Sequence, residues 1–171
     1  MNGEIFRDDL GKFSAFRKTI LDYYPEKIWR ERIANELHRF ASSLQVNYSR
    51  CMARKDTVAA EICRATGMQA AMELFFLLKR VYPPYYKWTY RALTELDAGG
   101  RFSRLVKELS EANCALSAWE HIRYMPDNLN MSDRVVVLSE QIAEMLLKML
   151  SCANLISGHS TYLEEYVNAV L

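Results

Sequence analysis

The sequence is poor in the residues that interrupt or cross-link a fold: six Gly, four Pro and four Cys among 171 residues. So little glycine and proline, with two of the prolines adjacent at Pro83-Pro84, argues against a strand-and-turn architecture and favours long helices. Cys51, Cys63, Cys114 and Cys152 show no C-x-x-C spacing, which argues against a disulfide frame or a zinc site; they are expected to be reduced thiols buried in apolar helical faces. None of His38, His121 and His159 follows a Glu by three residues, so the bundle di-iron motif is missing and no metal is expected in this chain. No uncharged stretch approaches the roughly 18 apolar residues of a membrane span, and no basic region followed by an apolar run opens the chain. A cytoplasmic protein without a membrane partner is the expectation.

What is present is a core. Half the residues are hydrophobic and a quarter charged, enough for one globular domain and unlike a disordered chain. The formal net charge of +1 conceals an asymmetry: residues 1–91 hold 16 Lys and Arg against 10 Asp and Glu, and residues 92–171 hold 6 against 11. An anionic ligand would favour the first half, and mutual attraction of the halves explains the pattern equally well.

Periodicity sets the architecture. From Pro25, Trp29, Ile33, Leu37, Phe40, Leu44, Tyr48 and Cys51 recur at helical steps, one stripe on a helix of about seven to eight turns. Asp56 is a candidate N-cap for a second long, largely apolar helix to about Tyr82. A short helix near 86–97 stops at Ala98-Gly99-Gly100. A third long helix carries Phe102, Leu105, Leu109, Ala112, Leu116 and Trp119, and is broken by Pro126-Asp127-Asn128. Ser132 is expected to cap a fourth, with Val135, Leu138, Ile142, Met145 and Met149, ending at Gly158. Thr161 and Glu164 have capping-box spacing for a last helix. The fold expected is all-α, an antiparallel bundle of four long helices plus short ones over residues 21–171. Residues 1–20 form a separate segment in which Gly3 to Phe13 reads as a short strand and turn, too little for a sheet.

Binding residues cluster in the first half. Tyr82-Pro83-Pro84-Tyr85-Tyr86-Lys87-Trp88 places four aromatics and a lysine where the prolines must break a helix, and Tyr85 and Trp88 are spaced to stack a ring or to wedge the bundle. Glu73 lies in the apolar run Ala70 to Phe76, where a carboxylate is costly unless paired; it either meets an arginine of the preceding helix or faces a cationic ligand. Packing the two long helices antiparallel puts Glu73 opposite Asn35, His38 and Arg39, a pocket reached by the aromatic turn. Arg50 and Arg54, four apart, form a second, basic site for phosphate or docking, or simply a solvated edge. Arg32 and His38 fit the loose R-x(4 to 6)-H pattern of helical ribonucleases of the toxin type, but six positions turn through about 600°, leaving the side chains some 120° apart.

The order G-x-I-F-x-D-x-x-G-x-F (Gly3 to Phe13), Tyr23-Tyr24-Pro25-Glu26, Asn47-Tyr48-Ser49-Arg50-Cys51 and Tyr82 to Trp88 resembles the C-terminal part of bacterial nucleotidyltransferase-like proteins, whose helical part is domain of unknown function 4037. The resemblance covers residues 3–88. It implies a helical bundle similar to the substrate-binding domain of aminoglycoside nucleotidyltransferases, preceded by a catalytic domain whose last strand would be Gly3 to Phe13. The chain departs from the family pattern at Lys79, where Asn is expected, and at Glu73, where a small or apolar residue is.

Nucleotidyl transfer needs a Gly-Ser turn for the triphosphate and an Asp-x-Asp pair on a strand for the metal. Neither is here: Asp8-Asp9 are adjacent, and Glu95-x-Asp97 falls at a helix end. This chain is therefore expected to be a substrate-binding or accessory domain with no catalytic residue. Mg²⁺ and a nucleoside triphosphate would come only with a nucleotidyltransferase domain in cis or in trans, the substrate would be a small molecule, and nucleic acid is not an expected partner. A homodimer is left open. The alternatives are a ribonuclease-like protein using Arg32 and His38, or an interaction module docking on a separate nucleotidyltransferase subunit by an added strand.

Overall fold

A computed structural model describes residues 4–125 and 128–171. Among them the fold is all-α, and no strand is present. The helices are α1 (Lys12–Leu21), α2 (Glu26–Phe40), α3 (Tyr48–Ala53), α4 (Thr57–Leu78), α5 (Thr89–Leu96), α6 (Arg101–Glu111), α7 (Arg134–Cys152) and α8 (Val167–Val170).

A π-helical segment, Ala41–Asn47, joins α2 to α3 and makes one continuous rod of all three. The apolar pattern explains it. Phe40, Leu44, Tyr48 and Met52 follow one another at steps of four, so in a pure α-helix each would sit about 40° past the last. A wider i→i+5 turn removes that drift and keeps all four in the core, at 0–1% exposure. The stripe therefore continues to Met52, and Cys51, expected on it, is only half-buried.

α4 returns antiparallel along this rod. The Trp29 Nε1–H donates to the Leu77 carbonyl at 2.8 Å, and Leu44 lies against Gly67. Asp56 caps α4 as expected, accepting from the Ala59 amide at 3.0 Å. α4 also touches α5, α6 and α7, which makes it the central helix, with Leu74 and Phe76 fully buried. Each such side chain contributes roughly 2 kcal/mol through removal from water.

The remaining helices differ from their expected bounds. α6 stops at Glu111, because Arg64 of α4 donates to the Leu109 and Ala112 carbonyls and so satisfies the helix end. Leu116 and Trp119 fall in a separate 3-10 turn, and Cys114 is in the intervening loop. Of the expected break at Pro126-Asp127-Asn128, the first two residues lie outside the described residues. Asp133, not Ser132, caps α7. Its carboxylate is fully buried and accepts from Val135 N at 2.7 Å, Tyr48 OH at 2.9 Å and Trp119 Nε1 at 2.6 Å, tying the rod, the 3-10 turn and α7 together. Burial, and then this carboxylate, push the Tyr48 phenol well above its ordinary range. α7 ends at Cys152, which leaves that thiol exposed rather than buried. Thr161 and Glu164 form no capping box; the Thr161 hydroxyl donates to Glu140 and Glu164 meets His38.

The N-terminal arm differs most. Residues 4–11 form no strand, and Gly3 lies outside the described residues. Asp8 instead accepts from the Phe13 and Ser14 amides at 3.3 and 2.7 Å, capping α1, while Asp9 pairs with Arg7 at 2.7 Å. Gly11, at φ 65°, makes the turn into the helix. No residue of α1 is buried; it is held through the Tyr82 hydroxyl, which donates to the Ile20 carbonyl at 2.8 Å, beside a cluster of Tyr23, Tyr24 and Tyr82 rings at 4.8–4.9 Å.

Candidate functional site

The pairing of α2 with α4 brings Glu73 opposite α2 as expected, but the pocket drawn around it divides. Successive helical positions are 100° apart, so Glu36 and Arg39 lie on one flank of α2 and Asn35 and His38 on the other. On the first flank Arg39 folds back on Glu36 at 2.7 Å, and the charge of Glu73 is near enough to act on Glu36. Burial raises the Glu36 carboxyl above its ordinary range, Arg39 opposes the shift, and Glu73 adds to it. Glu73 makes no ion pair among the described residues; its Oε1 accepts from Gln69 Nε2 at 3.1 Å. On the second flank Asn35 and His38 line a cleft of about 390 Å³ with Val167 and Leu171, and His38 Nδ1 is 2.8 Å from Glu164. The four residues do not enclose one site.

The aromatic turn also splits. Tyr85, Tyr86 and Trp88 are 58–63% exposed, and the Tyr85 and Tyr86 rings pack on each other at 4.5 Å. Lys87 reaches the Tyr86 ring at 6.0 Å. Tyr86, not the expected Tyr85 and Trp88, lines a cleft, with Met68, Gln69, Met72 and Thr89, of about 410 Å³. A smaller, almost wholly apolar cleft of about 180 Å³ shares Met68 and Met72 and adds Tyr90 and Val106. Gln69 links this groove to Glu73 one turn further along α4. The sequence carries no signal that sets the two methionines apart from the other apolar residues of α4; only the placement of α5 and α6 leaves them at an opening.

The basic pair parts as well. The Arg50 guanidinium lies 5.0 Å from the centre of the Tyr124 ring, and Arg54 is exposed at the end of α3. Arg32 and His38 have separate partners, since Arg32 lies 4.5 Å over the Tyr24 ring while His38 meets Glu164.

One site was not foreseen. Beside the π-helical segment, Gln45, Tyr124, Glu140, Thr161 and Tyr162 border a cleft of about 310 Å³ with mixed polar and apolar walls. Gln45 is 7% exposed and its amide is fully engaged: Nε2 donates to Glu140 at 2.9 Å and to the Thr161 carbonyl at 2.8 Å, and Oε1 accepts from Leu163 N at 3.1 Å. The only signal in the sequence was a glutamine set next to Leu44 of the apolar stripe.

Burial, then the neighbouring Cys51 thiol, push Cys63 up to about 11, and Cys114 donates to Glu61 at 3.0 Å. None of the helices among the described residues is long and apolar enough to cross a membrane.

Comparison with known proteins bears on the first half of the chain. The family model described as Domain of unknown function (DUF4037) matches residues 1–89, from the N-terminal arm through α4 and the aromatic turn. Searches of the curated proteins and of the solved structures find no match. With more than half its length matched, over the arm, the helical hairpin and the groove beside it, the chain belongs to the DUF4037 family.

Proposed function

We propose that this chain is the helical substrate-binding or accessory part of a cytoplasmic nucleotidyltransferase-like protein, working with a catalytic domain supplied in cis or in trans. The observation that carries the proposal is the uncovered arm. Phe6, Leu10, Phe13 and Phe16 are 93, 79, 57 and 64% exposed, and a ten-residue helix with none of its residues buried has little stability of its own. Such a segment is suited to being covered by another domain, and the nucleotidyltransferase-like motifs begin in it. In this reading the groove of Met68, Met72 and Tyr86, with Gln69 and Glu73 at one end and Tyr85, Lys87 and Trp88 at its exposed rim, receives the small accepting substrate. Arg50 and Arg54 are left for phosphate or docking. Mg²⁺ and the nucleoside triphosphate belong to the catalytic domain.

The test is a transfer assay with labelled nucleoside triphosphates, Mg²⁺ and a panel of small acceptors. It uses a nucleotidyltransferase domain, encoded with this chain and bearing the Gly-Ser turn and Asp-x-Asp pair, alone and combined with the chain. Transfer is expected only in the combination, and Phe13→Asp with Phe16→Asp should abolish it. Transfer by the catalytic domain alone at the same rate and with the same acceptors would overturn the proposal.

A further inference from the structure

The cleft beside the π-helical segment has a charge that the fold leaves uncompensated. Glu140 accepts from Gln45 on one carboxylate oxygen, at 2.9 Å, and from the Thr161 hydroxyl on the other, at 2.7 Å. Both donors are neutral. Neither Glu140 nor Glu165, the second acid of the lining, makes an ion pair among the described residues, and Glu164 is directed to His38 instead. Arg50 lies over the Tyr124 ring and, among the described residues, pairs with neither acid. Two carboxylates and one guanidinium leave the cleft with a net charge of −1.

The walls match that charge. Tyr162 lines the cleft with no cation over its ring among the described residues, whereas Tyr124 already carries Arg50, and an aromatic face attracts a cation through its quadrupole. Glu140 is also fixed in place: the amide holding it is buried, engages three partners, and is carried by a π turn, a distortion that often marks a functional position in a helix. A carboxylate held by two hydrogen bonds against solvent motion is pre-organised to take a third from a charged donor.

From this arrangement we infer that the cleft of Gln45, Glu140, Tyr124, Tyr162 and Glu165 binds an organic cation of the primary amine or guanidine class, with Glu140 as its anchor. The inference does not rest on the proposed function, because the cleft lies outside the groove assigned to the accepting substrate and uses none of its residues.

Two-dimensional NMR of the ¹⁵N-labelled chain, titrated with agmatine and with spermidine, tests it. Saturable shifts are expected at the Gln45 side-chain amide and at the Tyr124 and Tyr162 amides. Affinity should fall roughly tenfold in Glu140→Gln, which keeps the shape and one acceptor of the carboxylate. Glu165→Gln, at an exposed position that does not disturb the Gln45 network, should weaken binding by a smaller factor; it remains informative if Glu140→Gln does not fold. Glu73→Gln should bind as the unaltered chain does. No shift at the cleft, or equal affinity in the unaltered chain and in both cleft variants, would overturn the inference and assign any binding to general surface charge.

Discussion

Glu36 shows how a single side chain carries the tension of the α2–α4 face. Its side chain is 12% exposed, and its carboxyl is pushed up by burial and only partly relieved by Arg39. A carboxyl raised in the folded state holds its proton more tightly there than in the unfolded chain, so it lowers stability as pH climbs from the ordinary glutamate value through the folded one. Urea unfolding at several pH values should therefore show the unaltered protein losing stability relative to Glu36→Gln across the range just above the ordinary value, then running parallel to it. A gain over the same range would mean that Arg39 outweighs burial. At this scale the sequence was informative about which residues stand near one another and silent about direction. Glu73 was placed opposite the Asn35 to Arg39 stretch from helix rise alone, and its effect on Glu36 agrees. A 100° step was enough to send Asn35 and His38 to the other flank, towards α8, whose position no local pattern encodes.

The helical hairpin depends on one close approach. A Cβ added at Gly67 would come within 2.5 Å of Leu44 Cγ and 2.7 Å of Cδ1, and Leu44 is fully buried on the π-helical segment with nowhere to retreat. Alanine ordinarily stabilises a helix interior over glycine by about 1 kcal/mol, whereas overpacking a core costs about 1–3 kcal/mol. The second effect should win, and Gly67→Ala should lower the free energy of unfolding by about 1 kcal/mol in chemical denaturation. A more stable variant would show that α4 and the rod can separate freely. Element boundaries were legible where the stop is local, as at Asp56 for α4 or Ala98-Gly99-Gly100 after α5, where Ala98 and Gly99 have φ of 50° and 64°. They were illegible where the stop comes from elsewhere. Arg64 ends α6 from another helix, and the π turn arises from a run of four-residue steps that a fixed period reads as plain α-helix.

For the molecule as a whole, the contrast lies between a body with a continuous core and an arm with none. The core runs from Trp29 to Val170 through every helix of the body, while α1 and the residues before it leave five large apolar side chains in solvent, Phe6, Leu10, Phe13, Phe16 and Leu21. The all-α class followed from composition and period; the expected N-terminal strand did not form, because a strand needs a partner and Asp8 gives the same residues a helix cap without one. The candidate site was half visible. Tyr86 and Glu73 come to the groove from segments singled out in the sequence, Gln69 does not, and the Gln45 cleft depends on contacts between residues 95 to 118 positions apart.

The direct test of the proposed accessory role is to measure association, by titration calorimetry, between this chain and a nucleotidyltransferase domain of the kind proposed as its partner. Saturable binding with a negative heat-capacity change is expected, as apolar burial requires, and it should be lost in Phe13→Asp with Phe16→Asp while the urea midpoint of the helical body stays unchanged. No binding, or binding that the double variant leaves intact, would contradict it.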